Sequence, residues 1–281
     1  FTIIDTGDEE QLLSRLYRVL EGDIDIIIGP VFSDKVNQVR EITKNKAIPI
    51  IALSNNSEIQ DDRLYVFGLT LEDEIKGLLD YSIKRNLKKY AVLIPRNQFG
   101  SRVEREIKKF QSKNNSSSFI FTFYDPNFPN FYNVSKNLSN FEERKTNLEK
   151  RIQQLEIENS EKAKEELKKL KKLDTYGELS FEALMIFAQN FQEVSNFSSI
   201  LPYYDVDPKK VQYIGSSLWA KNLALKEPGL ENGYFTSLDI DNRRKFEDMY
   251  LGIFNSKPHP LATLSYDIVG LISNLHQDKN N

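Results

Sequence analysis

Between Asp23 and Asn56 the chain alternates two short apolar runs with one segment of helical period. Ile24 to Ile28 is a nearly continuous β-branched run that stops at Gly29-Pro30, the pattern of a strand buried on both faces and closed by a turn. Val36, Val39 and Ile42 then keep the spacing of a helix face, behind Ser33 as a candidate cap. Ala47 to Leu53 forms a second buried run that ends in Ser54-Asn55-Asn56. This is one strand–helix–strand unit, and a parallel sheet opens its ligand crevice beyond the carboxyl ends of the strands. The loops Pro30 to Ser33 and Ser54 to Asn56 are therefore expected to face one cleft.

The alternation continues along most of the chain. Phe1 to Asp5 reads as a short strand, and Glu9 to Leu20 as an amphipathic helix with Leu12, Leu13, Leu16 and Leu20 inward. Leu64 to Leu69 is a third apolar segment, and Thr70 with Asp73 makes a capping-box variant ahead of a helix to about Asn86. Tyr90 to Ile94 is the next buried strand. It ends in Pro95-Arg96-Asn97-Gln98-Phe99-Gly100 and is followed by a helix over Arg102 to Phe110. Phe119 to Tyr124, Phe181 to Phe187, Gln212 to Ile214 and Gly233 to Leu238 are further strands, and Phe191 to Ile200, Asn242 to Phe254 and Ala262 to Leu275 are helices. Alternating strands and helices specify an α/β fold with mostly parallel sheets.

One stretch breaks the rhythm. Phe141 to Leu173 has no Gly or Pro, and Phe141, Leu148, Ile152 and Leu155 recur at seven-four-three spacing. The phase slips at Asn159-Ser160, after which Ala163, Leu167 and Leu170 resume it. As one helix the segment would project ~50 Å. A helical hairpin turning at Asn159-Ser160 is expected instead, with its charges either a solvated face or a docking arm for a partner.

Composition narrows the function classes. Lys and Arg total 38 against 41 Asp and Glu, a net charge of -3, which gives no nucleic-acid footprint. Cysteine is absent, so disulfides and thiolate metal sites are excluded. No apolar run approaches the ~20 residues of a membrane span, and no signal peptide begins at Phe1. With two histidines, no Gly-x-Ser-x-Gly elbow and no phosphate loop, the sequence offers no catalytic constellation, metal site or cofactor motif. The acidic, aromatic run Tyr203 to Asp207 supplies too few oxygens for a hard cation and reads as a solvated turn.

IIGPVFSDKVNQVREITKNKAIPIIALSNN, FEALMIF, LPYYDVDPKKVQYIGSSLW, GYFTSLD and LATLSYDIVGLI together resemble the type I periplasmic-binding-protein fold. More closely, they resemble its penicillin-binding-protein-activator branch, outer-membrane lipoproteins that stimulate a class A peptidoglycan synthase. Gly29-Pro30-x-Phe32-Ser33 and Leu201 to Asp205 carry the most specific part of the likeness. The resemblance implies two Rossmann-like lobes joined by three crossovers, in the periplasm. Lobe one would hold residues 1-69 and 240-281, and lobe two 70-239 with the hairpin insertion 141-173. Phe1 to Asp5 matches the family's second strand, leaving its first strand and helix unmatched. An upstream segment with an export signal, and any lipid anchor to the outer membrane, is thus expected before Phe1.

The fold places candidate ligand groups in the inter-lobe cleft. Ser33, Ser54, Asn55 and Asn56 could hydrogen-bond a ligand, or could simply cap and turn the chain. From the other lobe come Arg96, Asn97, Gln98 and Phe99, then Tyr124 and Asp125, then Trp219. Arg96 could clamp an anion, and Trp219 or Phe32 could stack on a ring. The aromatic side chains could equally close the cleft. Two functions follow: a non-enzymatic regulator that contacts a class A penicillin-binding protein, or a receptor that delivers a small polar, amino-acid-like ligand to an ABC transporter.

Overall fold

The computed structural model describes residues 2–5, 9–31, 33–158, 160–220, 227–259 and 261–278, with backbone alone at 9–11, 33, 34 and 276–278. The chain divides into two compact units, Phe1–Asp73 with Leu238–Asn281, and Glu74–Ser237.

The first unit contains α1 (Glu9–Val19), β1 (Ile27–Ile28), α2 (Ser33–Ile42), β2 (Ile50–Ala52) and β3 (Leu64–Val66). The three strands form a parallel sheet in the order β1-β2-β3, with Ile27 opposite Ile50 and Ile51 opposite Tyr65. Side chains alternate across a strand, so β2 serves two cores. Ile50 and Ala52 pack with Leu16, Leu20, Val36, Val39 and Leu64, while Ile51 joins Leu53 and Ile268 on the other face. Phe1 lies outside the described residues, and residues 2–5 do not form the strand their pattern suggested. Among the described residues no strand stands beside them to complete a ladder; Ile4 alone packs on the core, and Ile3 is exposed.

The second unit opens within α3 (Leu71–Lys84), whose first three residues count with the first unit. Thr70 caps this helix: its Oγ1 accepts from the Asp73 amide at 3.2 Å and donates to Asp73 Oδ2 at 2.6 Å. There follow β4 (Lys89–Pro95), α4 (Gln98–Lys113), β5 (Ser118–Tyr124), α5 (Phe131–Leu138), α6 (Phe141–Glu158), α7 (Glu161–Leu170), β6 (Ala183–Ile186), α8 (Phe191–Ile200), β7 (Gln212–Gly215) and β8 (Tyr234–Phe235). Its parallel sheet runs β5-β4-β6-β7-β8, and β4 and β5 match over seven residues. Interior strand β4, between β5 and β6, is buried along nearly its whole length, which accounts for its unbroken apolar run. α9 (Ile240–Phe254) and α10 (Ala262–Asp278) return the chain to the first unit. No helix of the described residues is long and apolar enough to cross a membrane.

The stretch over 141-173 is a helical hairpin. Leu148, Leu155, Ala163 and Leu170 form its buried seam, with Ile152 and Leu167 alongside. Ser160 restarts the helix after the phase slip, its Oγ accepting from the Ala163 amide at 3.1 Å. Arg151 then clamps the two arms, donating to both Glu166 oxygens at 2.9 and 3.0 Å. The base is fixed by Asp205, which takes a left-handed conformation (φ 65°) and accepts from Arg144 at 3.1 Å and from Thr175 at 2.7 Å. The Tyr203 to Asp207 run is thus an anchor for the hairpin as well as a turn.

Candidate functional site

A parallel sheet exposes the carboxyl ends of its strands as a crevice, and each unit has its own set of such ends. In the first unit Phe32 lies outside the described residues, as does the side chain of Ser33, which begins α2. Ser54 is buried, and its Oγ accepts from the Asn56 amide at 3.1 Å. Asn56 in turn accepts from the Glu58 amide at 3.2 Å and caps the 3-10 turn Ser57–Ile59. Asn55 between them is exposed. Gly68 passes so close that a Cβ there would lie 2.6 Å from the Ser54 carbonyl oxygen, which explains why that position carries no side chain.

In the second unit the strand ends are knitted together. Beyond β4, the Arg96 amide donates to the Tyr124 carbonyl at 2.7 Å, and its guanidinium lies 5.4 Å above the Phe123 ring. Asn97 is the cap of α4: its Oδ1 accepts from the Gly100 amide at 3.0 Å. That cap starts the helix at Gln98, four residues ahead of the expected Arg102. Gly100 is demanded by packing, since a Cβ there would sit 1.8 Å from the Pro95 oxygen. Gln98 is exposed and Phe99 half-buried. Asp125 turns on itself, accepting from the Asn127 amide at 2.9 Å.

Two of the candidate rings, Tyr124 and Trp219, are inside the unit. Tyr124, 1% exposed, packs edge-on against Phe197 and donates its hydroxyl to Glu193 Oε2 at 2.6 Å. Glu193 also accepts from the Gln189 amide at 3.0 Å and from Asn190 Nδ2 at 3.2 Å, while Asn190 caps α8 through the Glu193 amide. Burial first, and then the Glu193 carboxylate, push the Tyr124 phenol well above its ordinary range. Trp219, also 1% exposed, lies in the same core, and a Cβ on Gly215 would fall 2.1 Å from its ring. The indole occupies the space that glycine at 215 leaves open, so it presents no face for stacking. A third tie was not foreseen. Buried Glu74 in α3 accepts from the Ser217 amide at 3.2 Å and from the Ser217 hydroxyl, holding the turn after β7. Burial raises its pKa, and the Ser217 donors offset part of that rise.

Of these strand-end groups, Asn97, Asp125, Tyr124 and Trp219 are already used by the fold, leaving Arg96 and Gln98 exposed. The Asn190-x-x-Glu193 spacing is a capping signature that could have revealed Glu193. Nothing local marks Glu74, whose partner is 143 residues away. Among the described residues no group of three or more His, Cys, Asp or Glu side chains is placed to hold a metal.

The LppC putative lipoprotein family matches residues 1–170 of the chain. An uncharacterized protein of Rickettsia prowazekii (strain Madrid E) is 26% identical over 139 residues, 50% of this chain and 37% of that protein. The chain therefore spans little more than a third of that relative's length. Among solved structures, the ABC transporter substrate-binding protein of Desulfitobacterium hafniense in complex with Leu superposes with a TM-score of 0.59 at 11% identity, over 96% of this chain and 70% of that one. The C-domain of LpoA from Haemophilus influenzae, a regulator of PBP1A, gives 0.53 at 13%, over 85% and 64%. The shared architecture is the type I periplasmic-binding-protein fold, with parallel sheets throughout.

Proposed function

We propose that this chain, which belongs to the LppC putative lipoprotein family, is a non-enzymatic periplasmic regulator that acts by protein contact on a class A peptidoglycan synthase. The observation that carries the reading is the closure of the strand ends in the second unit. A solute receptor needs free rings and free hydrogen-bonding groups there. Here Tyr124 is spent on Glu193, Trp219 on the core and Asn97 on the start of α4. The LpoA likeness points the same way, since its C-domain is named a regulator of PBP1A. A synthase whose active conformation binds the chain more tightly would be shifted toward activity by that difference in affinity.

The same fold serves the substrate-binding proteins of ABC transporters, and exposed Arg96 and Gln98 are the groups of the second unit that a small polar ligand would have to use. Surface-immobilised chain titrated with a PBP1A-type synthase, alongside a glycan-polymerisation assay, separates the readings. Saturable binding with faster polymerisation supports the regulator. Absence of both, with tight binding of an amino acid by calorimetry, overturns it in favour of the receptor.

A further inference from the structure

The sheet of the second unit ends in two unlike edges. β8 is a two-residue strand, whereas β5 runs for seven residues, SFIFTFY, without proline or charge. The ladder fixes which way its backbone points. The Ser118 amide donates to the Lys88 carbonyl at 2.8 Å, and at the far end the Arg96 amide donates to the Tyr124 carbonyl at 2.7 Å. In a parallel pair, alternate residues bond to the same neighbour, so Ser118, Ile120, Thr122 and Tyr124 face β4. Phe119, Phe121 and Phe123 therefore turn their N–H and C=O groups to the open side, where no strand lies among the described residues. Three donor–acceptor pairs in a row form a template for another strand.

The two faces flanking that edge differ in chemistry. On the α4 face, Lys108 Nζ lies 5.7 Å from the Phe121 centroid and the Arg96 guanidinium 5.4 Å from that of Phe123. Lys108 also pairs with Glu104 at 2.6 Å, and Arg96 is exposed. On the opposite face, Ile120 is 45% exposed beside half-buried Thr122. A second copy pairing antiparallel about Phe121 would bring the two Lys108 side chains together, which disfavours self-association. An added strand that alternates carboxylates toward α4 with β-branched residues toward Ile120 matches both faces.

We propose that the free edge of β5 is a docking site for an extended segment of a partner protein, acidic on one face and β-branched on the other, which adds as a sixth strand. This rests on the partner-contact reading and names the surface through which it would operate. The probe is a fluorescein-labelled peptide, acetyl-EVEVEVE-amide, titrated with the full chain and compared with acetyl-KVKVKVK-amide. The acidic peptide is expected to bind about tenfold more tightly, as two exposed ion pairs would give. Binding should slow hydrogen exchange at the Phe119, Phe121 and Phe123 amides. Arg96→Glu combined with Lys108→Glu, in a chain shown by thermal unfolding to remain folded, should reverse the preference. Equal affinity for the two peptides, no binding, or binding without protection of those three amides overturns the proposal. A synthase that binds the chain but is not displaced by the acidic peptide removes the β5 edge alone; a synthase that does not bind removes the partner-contact reading itself.

Discussion

The carboxyl ends of the second unit's strands and the side edge of β5 belong to one sheet, yet their polar groups meet opposite fates. At the strand ends, Tyr124, Glu193, Asn190, Asn97 and Glu74 close on one another or on nearby backbone, and Trp219 fills the gap above Gly215. Along the edge, the outward amides of Phe119, Phe121 and Phe123 meet no strand among the described residues. Buried polar groups that are paired stabilise and rigidify a structure, whereas unpaired ones on a strand edge recruit a neighbour. Most polar groups at the strand ends of this unit are thus spent on the fold, with Arg96 and Gln98 left exposed, while the backbone of the β5 edge faces no strand among the described residues.

Substitutions should reproduce that difference as a gradient of stability. The largest loss belongs to Trp219→Ala, which empties a fully buried site and should cost about 3–5 kcal/mol in urea unfolding. A cost under about 1 kcal/mol would mean that the indole is not part of the core. Glu193→Ala comes next. It strands the Tyr124 hydroxyl and the Gln189 amide, and a loss of about 2–3 kcal/mol is expected, against about 1 kcal/mol for Tyr124→Phe, which leaves Glu193 its other donors. Equal effects of the two would show that the carboxylate is held by tyrosine alone.

Glu74 sharpens the comparison through pH. Its folded-state pKa is raised by burial, so the folded chain holds this proton more tightly than the unfolded chain does. The stability it contributes is complete below the unfolded value and is lost as pH rises through the folded one. Glu74→Gln should flatten the decline in unfolding midpoint over that window; an unchanged slope would place the titration elsewhere. The smallest effect is expected at the edge. Lys108→Ala, which removes an exposed side chain, should change stability by less than about 0.5 kcal/mol, with a larger loss arguing that the α4–β5 face is structural.

Much of this arrangement was readable from the chain alone. The Ile24 to Leu53 unit, the run at Tyr90 to Ile94 and the phase slip at Asn159-Ser160 are local patterns, and local patterns survive folding because burial simply acts on them. α5 escaped notice because Phe131 to Leu138 is short and sits among Asn and Pro residues that read as loop. The roles of Tyr124 and Trp219 were legible only as positions after strands. Whether such a ring faces a ligand or the core is decided by what the fold packs against it: Glu193 for the tyrosine, and for the tryptophan Gly215 and Gly233, which lie within 2.1 and 3.0 Å of the indole once a Cβ is added. The pairing of Glu74 with Ser217 is set by the sheet topology that brings α3 to the end of β7.

The central claim is that the second unit's strand ends are filled from within, and calorimetric titration of the chain with amino acids, sugars and peptidoglycan fragments tests it most directly. The account predicts no saturable heat for any of them and no rise in unfolding temperature at high concentration. A solute that binds, adds about 2.7 kcal/mol of stability at a hundred times its dissociation constant, and loses both effects in Arg96→Ala would contradict it.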